Sequence, residues 1–145
     1  MEVITGFEAK ILQDGSIDCL ERYASEYFLI ASFHTLYFDK QIWIKALARA
    51  IENPAVDVIG HLAPEPSFAL DYSETENLAH LIVENNKIVE LNAKYQRPPL
   101  EWLKIFRRAG VNFHLASDAH SLEEIGKYER ITNLIAFIEG PSDGH

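Results

Sequence analysis

The chain has 145 residues, 48% hydrophobic and 24% charged, with a net charge of −9, enough for one domain with its own core. That acidic balance argues against nucleic-acid binding, because no basic stripe is present to neutralise phosphates, although bound cations can invert a local field and admit a phosphorylated small molecule. Cys19 is the lone cysteine, which excludes an intrachain disulfide or thiolate metal site and suits a reducing, cytoplasmic setting.

No apolar stretch is long enough to span a bilayer, and the opening MEVITGFEAK lacks the basic start and apolar run of a signal peptide. No membrane partner is expected.

In chain order, residues 3–12 (VITGFEAKIL) read as a strand, followed by an Asp14-Gly15 turn and a weaker strand near 16–19. Residues 27–34 (YFLIASFH) form a second apolar run. Residues 41–52 carry helical spacing that stops at Asn53-Pro54. Residues 56–62 (VDVIGHL) are a strand, and a loop with two prolines, APEPSFALDY, follows.

A helix is predicted over 74–86, with Ser73 as N-cap and Glu76 completing a capping box. Residues 87–93 (KIVELNA) are a strand. Pro98-Pro99 open a helix that runs to 109 and ends at Gly110. Residues 111–120 (VNFHLASDAH) are the last strand, Ser121 to Glu124 spell another capping box, and 128–139 form a final helix before a frayed tail.

Alternating strands and helices with short loops predict an α/β fold with parallel strands and helical crossovers. Such folds put their chemistry at strand C-terminal ends, and the polar residues obey that rule. Glu8, His34, His61, Asn92, and Asp118 with His120 each fall near the same end of one of five apolar strands. Imidazole nitrogen and carboxylate oxygen are the ligand set of zinc, manganese or iron. A bridging carboxylate such as Glu8 would suit two or more ions about 3.5–4 Å apart. No Gly-rich phosphate loop follows any strand, which disfavours a nucleotide-binding module.

The segments VITGFEAKIL, IASFHTL, DVIGHLA, IVELNAKYQRPP and GVNFHLASDAH occur in order over nearly the whole chain. Together they resemble the later motifs of the PHP (polymerase and histidinol phosphatase) family. The resemblance implies a distorted (β/α)7 barrel, here partial with about five strands, carrying metal ions at the strand ends and hydrolysing phosphate esters. It implies that Glu8 bridges metals, that His34 and His61 share a metal with it, and that Asp118 and His120 reach different metals.

Members of that family open with a His-x-His strand, whereas Met1 lies only seven residues before Glu8. Residues 1–145 are therefore expected to be a single, N-terminally truncated domain of this type, through a shortened gene, a misassigned start or a fragment. One ion at Glu8, His34 and His61 is expected to be well held, with other positions weak or empty.

The expected function is a metal-dependent phosphoesterase acting on a small phosphomonoester, histidinol-phosphatase-like. His61 or His120 would assist proton transfer, Arg97 would grip the substrate phosphate through its forked donors, and Glu90 and Asn92 would orient the ligands. The competing expectation is a metal-binding or interaction protein with impaired catalysis. Open sheet edges predict a homo-oligomer. His114 is read as a buried structural histidine, His80 as a surface or partly buried residue, and Trp43 and Trp102 as core.

Overall fold

The computed structural model describes residues 2–20, 23, 26–62 and 68–141. Five strands, β1 (Gly6–Lys10), β2 (Phe28–Ser32), β3 (Val58–Ile59), β4 (Ile88–Asn92) and β5 (Asn112–Ala116), alternate with helices α1 (Lys40–Glu52), α2 (Tyr72–Glu84), α3 (Leu100–Ala109) and α4 (Thr132–Glu139). The strands form one sheet in sequence order, every pairing parallel. The α/β expectation therefore holds, in the form of a five-stranded parallel sheet. Right-handed crossovers in a sequentially ordered parallel sheet put the helices on one face.

Alternation along the strands makes the two faces chemically different. Ala9, Ala31, Ile59, Val89 and Phe113 lie in one row across the sheet and pack, with Leu29, against the helices in the main core. The opposite face carries Glu8, Ser32, Glu90, Asn92 and His114. A second core cluster joins Leu91, Leu103, Ile131 and Leu134 beneath α4. No helix among the described residues is long and apolar enough to cross a membrane.

Local chemistry explains the helix limits. On α1, Trp43, Ala46, Leu47, Ala50 and Ile51 are buried, the spacing of one helical face. Asp39 caps its start by accepting from Gln41 N (2.8 Å) and Ile42 N (3.0 Å). Gly110 ends α3 with φ 89°, the left-handed position that favours glycine.

Several expected boundaries are corrected. The capping box of α2 lies two residues earlier than Ser73/Glu76: Asp71 accepts from Glu74 N, and Glu74 accepts from Asp71 N, both at 2.8 Å. The same four-residue spacing occurs twice in the sequence, and a carboxylate takes the cap. Ser121 makes no side-chain cap, because Leu122–Glu124 is only a short 3-10 turn; Glu124 instead accepts from His120 N at 2.6 Å. The last helix is shorter than 128–139 and follows a 3-10 turn, Glu129–Ile131.

The strand near 16–19 reduces to one bridge, Ile11 with Ile17. β1 is shorter than 3–12, and Glu8 sits at its centre. β3 keeps only Val58–Ile59, because the chain turns away at His61, φ 27°. Part of the expected proline loop (63–67), and most of the expected frayed tail including His145 (142–145), lie outside the described residues.

Candidate metal centre

Glu8, His34 and His61 come together from three successive strands. Glu8 stands mid-β1 on the helix-free face, His34 lies two residues past β2, and His61 two residues past β3. Glu8 Oε1 is 3.3 Å from His34 Nε2 and 3.3 Å from His61 Nε2. One ligand atom from each residue lies within 4.8 Å of the others. A carboxylate and two imidazoles at this separation suit the coordination chemistry of a divalent cation.

The supporting contacts explain why His61 faces inward. Its backbone N–H donates to Glu90 Oε2 at 2.8 Å, which holds a non-glycine residue at φ 27°. Such a backbone costs on the order of 1–3 kcal/mol and clusters at functional sites. The approach needs Gly60: a Cβ there would meet Ser32 Oγ at 2.1 Å and Glu90 Oε2 at 3.4 Å.

The electrostatics follow from these contacts. The hydrogen bond to His61, helped by the charges of His61 and His34, holds the Glu8 carboxyl at about 2 against the opposing effect of burial. Burial disfavours the charged form of His61. The Glu8 hydrogen bond and the charges of Glu8, Glu90 and Asp118 outweigh it, so the imidazole pKa is raised.

A second group lines the same cavity. Asp118 Oδ1 is 3.5 Å from His120 Nδ1, and Asp118 sits at φ 52°. Asp118 and His120, expected to reach different metals, line one cavity of roughly 670 Å³ with Glu8, His34, His61 and Arg97 and stand outside the three-residue cluster. Lys94 Nζ lies 3.0 and 3.1 Å from the two ring nitrogens of His120.

Asn92, fully buried, ties the two groups together. Its Nδ2 donates to Glu90 Oε2 (2.9 Å) and to Asp118 Oδ2 (3.0 Å), and its Oδ1 accepts from Tyr95 N (2.8 Å). Its backbone pairs with Arg97, N to O at 2.9 Å, which carries that guanidinium to the cavity wall.

The chain was compared with known proteins. No family model matches it. A protein of Aliivibrio fischeri named a probable phosphatase is 32% identical over 154 residues, which cover 97% of this chain and 60% of that protein. Proteins with the same name from Acetivibrio thermocellus and Shewanella sediminis are 27% and 30% identical, covering 99% and 97% of this chain and 63% and 61% of theirs. The chain thus spans about three fifths of the length of the curated relatives it matches.

The remaining expected residues are placed as follows. His114 packs near Glu90, Nε2 to Oε1 4.0 Å, with Nε2 buried and lacking a hydrogen bond; burial lowers its pKa despite Glu90. His80 is exposed on α2. Trp43 and Trp102 are buried, but Trp43 also lines the cavity with Tyr95 and Leu36. Sequence reasoning missed those wall residues and Lys94. For Lys94 a signal existed, since it follows Asn92 by two in a loop at the functional end of β4.

Proposed function

We propose that the protein is a metal-dependent phosphoesterase of the PHP type, acting on a small phosphomonoester, its sheet being part of a (β/α)7 barrel. The convergence of Glu8, His34 and His61 on a cavity that Arg97 also lines carries this reading. The names of the relatives support hydrolysis of phosphate esters. The donor set fits zinc, manganese or iron, with at least one ion held by Glu8, His34 and His61. Asp118 and His120 are offered as ligands for a further ion.

A bound divalent ion supplies Lewis acidity toward the phosphoryl group and makes water more acidic. The chain's own residues do the rest. Arg97 receives the phosphate oxygens through paired donors. His61 or His120 exchanges a proton with water or the departing alcohol. Glu90 and Asn92 keep His61 and Asp118 oriented.

The test is metal analysis of protein purified without chelators, beside hydrolysis of a generic phosphomonoester by the wild type and Glu8→Ala. Bound transition metal and turnover in the wild type, both lost in the variant, are expected. Full hydrolysis by Glu8→Ala would defeat the assignment. A second reading, metal binding with little catalysis, draws support from Lys94 at His120, since an ammonium there opposes a cation. Turnover separates the two. Self-association belongs to the proposal, and light scattering at high concentration tests it.

A further inference from the structure

The cavity lining carries two chemistries. One is charged, the Glu8 cluster, Asp118 and Arg97, and Arg97 is the one lysine or arginine among the described lining residues. The other is apolar. Phe33 stacks on Trp43 at 5.2 Å and meets Tyr37 edge-on at 4.9 Å. Leu36 and Tyr95 stand 46% and 48% exposed while lining the same cavity. The Tyr95 ring lies 4.9 Å from that of His61, so this apolar surface adjoins the cation cluster directly.

Large apolar side chains left exposed beside a charged pole favour a ligand with one charged end and one apolar end. A polyhydroxylated body would lose its water against this wall and find few partners there.

We infer that the substrate is a phosphomonoester whose alcohol is apolar and ring-bearing, seated against Leu36 and Tyr95 with its phosphate toward Arg97 and the Glu8 cluster. This rests on the phosphoesterase reading and narrows it. The reaction is hydrolysis: the oxygen of water bonds to phosphorus, the ester P–O bond breaks, and the alcohol leaves with a proton.

The test compares benzyl phosphate with glycerol 3-phosphate on the metal-loaded full chain, both having primary alcohol leaving groups. A hydrophobic pocket gains roughly 10-fold or more per added apolar group, so kcat/KM is expected to favour benzyl phosphate by at least about tenfold, and Leu36→Ser to remove most of that preference. Equal or better use of glycerol 3-phosphate, or a preference untouched by Leu36→Ser, overturns the inference and leaves the phosphoesterase reading standing. If neither ester is cleaved, that reading fails, and titration with benzylphosphonate and 2-hydroxyethylphosphonate decides the inference. Tighter binding of the benzyl compound supports an apolar-bodied ligand, and equal binding removes it.

Discussion

The Glu8–His34–His61 group and the Asp118–His120 group line one cavity, yet they are built differently. In the first, one carboxylate oxygen meets two imidazoles at 3.3 Å, and the neighbouring charges favour a cation. In the second, a lysine ammonium already lies against the imidazole, and His120 is 66% exposed. Residue type alone is therefore a poor measure of a site. What distinguishes the two is whether the surrounding contacts leave a gap for positive charge.

The largest effect that would break this contrast is ligand loss. Glu8→Ala is expected to weaken divalent-metal affinity by more than the 10- to 100-fold typical of losing a ligand's orienting partner, while Asp118→Ala weakens it less. Competition titration with a metallochromic chelator measures both, and equal losses would erase the difference between the groups.

Next comes Asn92, which serves both. Asn92→Ala leaves Glu90 and Asp118 without a shared donor, and an unsatisfied buried partner costs about 1–3 kcal/mol. Urea denaturation of the metal-free protein should show that loss, and metal affinity should fall as well.

The pH profile sharpens the contrast further. Glu8 has its pKa lowered from 4.5 to about 2, so its contribution is present above 4.5 and is lost as pH falls toward 2. The His61 pKa is raised from 6.5, so its contribution is present below 6.5 and is lost as pH rises through the folded value. The metal-free protein should be most stable between about 4.5 and 6.5. Metal needs the neutral imidazole, so with saturating zinc the maximum should move upward. Thermal melts across pH with and without zinc check this, and coincident profiles would contradict it.

The smallest effect concerns Lys94. Unit charges about 4 Å apart in water interact by about 1 kcal/mol, and a divalent ion doubles this before salt screens it, so Lys94→Met should tighten a second divalent ion at Asp118 and His120 by about tenfold. Metal stoichiometry measured under dialysis reads this out.

Much of this was legible beforehand. Strand–helix alternation gave the parallel sheet, the coincidence of polar residues at strand ends put Glu8, His34 and His61 at one end of it, and the motif resemblance grouped the three around one ion. What escaped depended on contacts between distant segments. The α2 cap fell to Asp71 rather than Ser73 because two equal spacings competed, and β3 ended early because the chain turns at His61, whose backbone Glu90 of β4 holds. Tyr95 beside His61 arises from how the loop after β4 folds back on Asn92, which no local pattern encodes, whereas Lys94 had its place two residues past Asn92 as a signal but not its contact with His120.

Asn92 has one further consequence. Its single amide nitrogen donates both to Glu90, which holds the loop of His61, and to Asp118. Redesign of one group for a new ion would therefore tug on the other, and the two preferences must be retuned jointly.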